Sequence, residues 1–327
     1  MSPALCSVCG AILRDGACPN GHPQRAARRE GGPTRRTRIF PIVLLLVLVG
    51  GIAYTALFWV PNKAAGDLMR PSSREFAAAV TAYRGATGAL PPGATDPQVL
   101  GDLAATAAAA TGPAREEITA ASIAITERSP LDIPVISSRP PLPEAVAIRE
   151  RMTEFYTLAL QAISGLERAS SYLAQAAAVL PALESLEANA IETDPDAPQS
   201  AAASSIPIAD QLIADLQALT APEELGGLHE SLLTIAQRIR DGLDALAGAR
   251  GGEAGRPVVA ATLKSVRDEI AAFRQTFGTA PRQARGAGLG PLLDEVDALA
   301  VEIAERLDGL RDAGVGGLTL PGEAPST

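Results

Sequence analysis

Cysteine, histidine and aromatic residues are all scarce in this chain of 327 residues, and their placement matters as much as their number. The three cysteines, Cys6, Cys9 and Cys18, stand at the N-terminus, so the long remainder can form no disulfide. Only one of two histidines, His229, lies in that remainder, and position 226, three before it, is glycine. A di-iron bundle built on Glu-x-x-His pairs therefore has no ligands there, and a nucleophilic triad has only His229 as a base. No His-Glu-x-x-His, Gly-x-Ser-x-Gly or Walker A run occurs. His229 reads as a helix-surface residue, and acidic groups such as Asp294, Glu295, Asp297, Glu302 and Glu305 as polar helix faces. The expectation is a protein that is not an enzyme.

Charge is missing from one stretch altogether. Ile39 to Val60, IFPIVLLLVLVGGIAYTALFWV, carries none. A helix of this length spans about 33 Å, enough for a hydrocarbon core of roughly 30 Å. Tyr54, Phe58 and Trp59 stand near its end, where amphipathic rings favour the headgroup level. Six arginines (25, 28, 29, 35, 36 and 38) precede it, whereas Lys63, Arg70 and Arg74 are the basic residues soon after. This bias predicts a single-pass protein of the cell membrane, N-terminus cytoplasmic and C-terminal part extracytoplasmic. A cleaved signal peptide fits less well, because the charged region before the apolar run and the run itself are both too long. The reducing side also suits the cysteines as metal ligands. Net charge divides at the span: residues 1–60 carry +5 and residues 61–327 carry −14, giving −9 for the chain. An outer part so acidic stays soluble and avoids nucleic acid and anionic headgroups.

The N-terminal segment reads Cys6-x2-Cys9, eight residues, then Cys18-x3-His22. Three thiolates and an imidazole form a closed tetrahedral set suited to structural Zn2+. Gly10, Pro19 and Gly21 supply the tight turns, and Arg14-Asp15-Gly16 reads as a hairpin turn. About 20 residues have no core of their own, so the ion must supply the folding energy. On Cys6, Cys9, Gly10, Cys18 and Pro19, residues 5–23 resemble the zinc-ribbon family, in the short form found at the N-terminus of many bacterial membrane proteins. The family's usual Cys-Pro-x-Cys-Gly is here Cys18-Pro19-Asn20-Gly21-His22, with histidine one position later as fourth ligand. The resemblance implies a docking, nucleic-acid-binding or capping module at residues 1–24. A basic linker, 25–38, follows; it reads as attraction to anionic lipid rather than contact with nucleic acid, since it has no base-stacking aromatics.

Beyond the span the apolar period is helical throughout. Ser72-Ser73-Arg74-Glu75 has the form of a capping box opening a helix on Phe76, Val80, Tyr83, Thr87 and Leu90. Val99, Leu103 and Thr106 begin another, broken at Gly112-Pro113 and resumed by Ile118, Ala121 and Ile125. Five prolines fall between 129 and 143. The longest helix starts near Glu144 and carries Met152, Phe155, Ala159, Ala162, Leu166, Ala169, Leu173, Ala176 and Leu180 at heptad spacing, until Pro181 kinks or restarts it. Residues 193–205 read as a flexible connection. Further single stripes follow, at Ala209 to Leu219, Leu225 to Ile239, Val259 to Phe277 and Leu292 to Leu310.

Single stripes joined by short turns predict an all-α fold, an antiparallel extracytoplasmic helical bundle. The expected organisation is a zinc ribbon (1–24), basic linker (25–38), transmembrane helix (39–60), membrane-proximal helices and Pro-rich linker (61–142), helical bundle (143–313) and disordered tail (314–327). The leading functional expectation is a membrane protein with a cytosolic ribbon for interaction or sensing and an outer bundle that binds a protein or wall component. A single helix could transmit a signal only by homo-oligomerising or shifting, and Gly50, Gly51 and Thr55 offer one small-residue face for association, Gly51-x3-Thr55. The alternative is a membrane-tethered nucleic-acid-binding regulator acting through residues 1–38. An enzyme or ligand carrier in the bundle is the third, and it requires a cavity among the alanine-rich seams.

Overall fold

The computed structural model describes residues 4–15, 17–23, 35–128, 137–194, 197–250 and 252–323. Most of the basic linker, the centre of the Pro-rich linker and the last four residues of the tail lie outside them. The chain divides into two compact units, Met1–Ala56 and Leu57–Thr327. Among the described residues the regular structure is helical, and the only extended pairings are two isolated antiparallel bridges in the N-terminal segment, Leu5 with Ile12 and Arg14 with Ala17.

In the first unit, helix α1 (Arg35–Tyr54) contains most of the charge-free stretch. Its apolar side chains from Ile42 to Ile52 find no protein partner: Leu45, Leu46 and Val47 are each about two-thirds exposed, at 64%, 65% and 67%. The helix passes through a π-helical turn, Thr55–Trp59, into α2 (Val60–Gly88). At the turn the Thr55 hydroxyl donates to the Gly51 carbonyl at 2.8 Å. Among the described residues this is the one helix long and apolar enough to cross a membrane.

Among the described residues the second unit comprises α2 and eight further α-helices: α3 (Pro97–Glu127), α4 (Leu142–Ala177), α5 (Leu180–Glu192), α6 (Pro198–Ala218), α7 (Gly226–Gly248), α8 (Arg256–Gly278), the short α9 (Ala280–Ala284) and α10 (Gly290–Asp312). They form two antiparallel four-helix layers with one continuous core: α2, α3, α4 and α10 in the first, α5, α6, α7 and α8 in the second. Helices α2 and α3 thus share the core of α4 and do not stand apart as a separate hairpin or stalk. The α4 seam faces inward as its spacing requires, every residue from Met152 to Leu180 in that series being buried. Alanines take many of its seats and those facing it on α3 (Ala104, Ala107, Ala114, Ala121), so the two helices pack closely. A Cβ added to Gly101 would lie 2.7 Å from that of Ala177, so the two helices approach closely there.

The scarce aromatics are concentrated in the first layer. The Phe155 ring stands edge-to-face with Phe76 (centroids 5.0 Å apart), Tyr156 (5.7 Å) and Tyr83 (6.2 Å). Burial raises the ionisation of Tyr83 and Tyr156 above the usual phenol range. The Tyr83 hydroxyl donates to the Leu293 carbonyl of α10 at 3.3 Å. On the rim, Arg151 of α4 binds Glu302 of α10 at 2.5 Å, and Arg306 of α10 binds Glu144 of α4 at 2.7 Å. The Arg151 contact, first, holds Glu302 below the usual carboxylate range. Half-exposed pairs of this kind contribute about 0–1 kcal/mol each and fix helix register more than stability.

Several boundaries differ from the sequence expectation. Ser72 to Glu75 do not open a helix; they lie inside α2, which carries Pro71 in its interior. The buried Ser72 and Ser73 hydroxyls donate to the carbonyls of Leu68 and Arg70, and Glu75 pairs with Arg128 at the end of α3. Helix α3 runs unbroken through Gly112-Pro113. Its buried face is Leu100, Ala104, Ala107 and Thr111, whereas Val99 and Thr106 are exposed: the stripe is shifted by one residue. The connection proposed for 193–205 is helical from Pro198 on, with Ser205 buried and bonded to Asn189. The tail expected after Gly314 is ordered through residue 323, because Val315 and Leu318 bury themselves, Arg70 donates to the Gly316 carbonyl and the Thr319 amide donates to the Ser73 hydroxyl.

Where the two layers meet, a Cβ added to Gly278 would lie 2.5 Å from the Thr95 carbonyl oxygen in the α2–α3 loop. Both groups are backbone, so neither can swing aside. Gly278→Ala is expected to destabilise the bundle by about 1–3 kcal/mol, the usual cost of overpacking; a midpoint in urea unchanged from the parent protein would contradict this contact.

Candidate metal centre

The N-terminal segment folds as two turns joined by a minimal hairpin. Between the first ligand pair, the Gly10 amide donates to the Cys6 carbonyl at 2.9 Å, and Gly10 takes a left-handed φ of 71° to reverse the chain. The second turn repeats the device, with the Gly21 amide donating to the Cys18 carbonyl at 3.0 Å and Gly21 at φ 73°. Between them Arg14 and Ala17 exchange both backbone hydrogen bonds (3.2 and 2.9 Å), and Asp15 is left-handed at φ 49°, the conformation a two-residue hairpin turn demands.

These turns bring Cys6, Cys9, Cys18 and His22 together, and their four ligand atoms all lie within 4.8 Å of one another. Cys9 Sγ is 3.5 Å from Cys18 Sγ, and Cys18 Sγ is 3.6 Å from His22 Nδ1. Thiolates about 2.3 Å from a tetrahedral ion sit about 3.8 Å apart, so the spacing fits a metal without rearranging the backbone. Cys6 and Cys18 are buried, His22 is half-buried and Cys9 is exposed. Burial first, then the neighbouring Cys6 and Cys9 thiols, push the Cys18 thiol above its ordinary value. Two backbone amides, of Asn20 and His22, oppose this by donating to its sulfur. An arriving cation must displace that proton, which ties binding to pH.

All four candidate ligands from the sequence are therefore placed in one cluster, His22 included despite its displaced position. The Asn20 side chain is an addition the spacing did not suggest: its amide lies 3.8 Å from Cys9 Sγ, aimed at a thiol that needs a donor once ionised. Compared with protein-family models, curated proteins and solved structures, the chain finds no match. The geometry of the cluster can hold a metal ion.

His229, the one histidine of the second unit, is half-buried at the start of α7. Its Nδ1 lies 3.0 Å from the Tyr172 hydroxyl of α4, with the rings edge-to-face at 5.9 Å. Burial pushes the Tyr172 hydroxyl up to about 12. The pair ties α4 to α7, which places His229 in a packing contact rather than on the helix surface.

Proposed function

We propose that this is a non-enzymatic, single-pass membrane protein whose N-terminal segment is a cytosolic zinc ribbon and whose helical bundle works outside the membrane as a binding domain. The observation that carries this reading is α1: an apolar helix with no part of its most apolar window buried, joining a metal-binding cluster to a self-contained bundle. In water so much exposed apolar surface is costly; in a bilayer it is the required surface. The arginines before the span and the acidic excess after it favour the orientation. Zinc is favoured over other ions by three thiolates and one imidazole in tetrahedral spacing, and four protein ligands fill the shell, a structural rather than a catalytic arrangement.

The ribbon acts in this account as a handle for a cytosolic protein, and the bundle binds a protein or wall component. A single helix relays a signal by associating with a second copy, through the face carrying Gly51 and Thr55. Cβ atoms added at Gly50 and Gly51 meet nothing within 4 Å, so the face is open for such a contact. The insertion itself is tested by Leu46→Arg with Val47→Arg. Each arginine costs about 2.5–3.5 kcal/mol at the centre of a span. The double variant is expected to leave the membrane fraction on alkaline carbonate extraction while the parent stays; release of the parent itself would refute the membrane assignment.

A further inference from the structure

Helices α2 and α3 leave between them an open groove of about 980 Å³, within the size range of small-molecule sites. Its walls are small and apolar, formed by Ala78, Ala82 and Gly85 of α2 and by Ala110, Pro113 and Ala114 of α3. The Thr81 hydroxyl on the wall is spent on the Ala77 carbonyl, and the charged groups gather at one end. Arg74 lies there, and because α3 runs antiparallel, Glu117 stands at the same end. The folded-back tail closes that end with Thr319 and Glu323, held in place by the Thr319–Ser73 bond. Among the described residues neither Arg74 nor Glu117 has an ion-pair partner, whereas Glu323 is engaged by Arg311. The groove thus offers an unpaired cation and an unpaired anion at its mouth, with alanine, glycine, proline and the backbone-bonded Thr81 beyond.

We propose that this groove binds a single-chain zwitterionic phospholipid taken from the bilayer, its acyl chain along the alanines and its head between Arg74 and Glu117. Three features select this occupant. A phosphate meets Arg74 and an ammonium meets Glu117, so a head bearing both charges satisfies both groups, and an anionic head would face Glu117 and Glu323. From residue 74 to residue 86 the helix rises about 18 Å, against the roughly 15 Å that one leaflet's acyl chains occupy. The supply follows from the reading above, on which this inference rests: a bundle tethered beside a bilayer has amphiphiles at hand.

The test uses the full-length chain in maltoside detergent, so that it is read independently of membrane insertion. Lysophosphatidylethanolamine with a photoactivatable acyl chain is the probe, and cross-linked peptides are mapped by mass spectrometry. Cross-links are expected within residues 74–86 and 110–117. Ala78→Trp, at an exposed position of the groove wall, should lower the yield about tenfold or more with the thermal unfolding midpoint unchanged. If that variant fails to fold, Thr81→Trp serves the same purpose. A lysophospholipid with a phosphoglycerol head should label several-fold less, and Arg74→Glu should weaken the parent probe. Labelling elsewhere, labelling indifferent to the tryptophan, or equal labelling by both heads would overturn the proposal. So would labelling that emerges only after residues 324–327 are removed, since the groove would then belong to the chain itself.

Discussion

Removing the metal from the N-terminal segment is expected to unfold residues 4–23 completely while leaving the bundle intact. The segment has two isolated bridges and a handful of turn hydrogen bonds, and of its apolar side chains Leu5, Val8 and Ile12 are more than half exposed. Nothing there can offset the conformational entropy of ordering it, about 1–2 kcal/mol per residue for the backbone alone. A structural zinc ion supplies folding free energy outright, because its site does not exist in the unfolded chain. Chelation should therefore collapse the amide dispersion of these residues in NMR spectra, and Cys18→Ser should reproduce that collapse in the presence of zinc. Acid should do the same, with a defined sign. Binding requires Cys18 and its neighbours as thiolates, and the Cys18 thiol is held above its ordinary value. Lowering the pH refills these groups with protons, so apparent affinity falls as pH falls and zinc binding at neutral pH releases protons. Undiminished dispersion after chelation would show that the cluster folds without an ion.

The second large effect belongs to the bundle. Phe155→Ala is expected to destabilise it by about 3–5 kcal/mol, the range for deleting a buried phenylalanine. Phe155 is fully buried, and its ring is the common partner of Phe76, Tyr83 and Tyr156. These three rings are themselves fully buried, so truncation leaves a void at the centre of the cluster. The cost should fall in the upper part of that range, read as a shift of the urea midpoint with unchanged slope. Phe155→Leu, which keeps most of the volume, should recover well over half of the loss. A cost below about 1 kcal/mol would mean that the alanine-rich core is loosely packed.

How much of this was legible beforehand depended on contrast between neighbouring side chains. The α4 seam could be read residue by residue because Met152, Phe155 and Leu166 stand out against the charged neighbours Arg151, Glu154 and Glu167, and every member is buried. On α3 the signal failed. Val99, Leu100, Leu103 and Ala104 are all apolar, so nothing in the pattern decides between faces 100° apart, and packing against α4 chose Leu100 and Ala104. Helix breaks inferred from proline and serine were also unreliable. Pro71-Ser72-Ser73 and Gly112-Pro113 look like interruptions, yet each lies within a helix packed along its length, where nearby hydroxyls bond to backbone carbonyls. The tail escaped notice because Val315 and Leu318 show no period; its order comes from Arg70 and Ser73, about 246 residues earlier in the chain.

The candidate metal centre was the most legible part, since its ligands are identified by chemistry and close spacing rather than by tertiary packing. Asn20, which bears on Cys9 only through space, was not. The groove between α2 and α3 was invisible for the opposite reason: alanine reads the same in a sequence whether it faces a neighbour or an opening.

The central claim is that α1 threads a bilayer with the cysteines on the cytosolic side and the bundle on the other. Because Cys6, Cys9 and Cys18 are the only thiols, a single added cysteine reports cleanly on the far side. Intact cells expressing the parent chain or Asp241→Cys, an exposed position on α7, are treated with a membrane-impermeant maleimide. The account predicts that residue 241 is labelled in intact cells, and that the N-terminal thiols react only after permeabilisation with a chelator present. Labelling of the N-terminal thiols in intact cells, with residue 241 silent until permeabilisation, would contradict it.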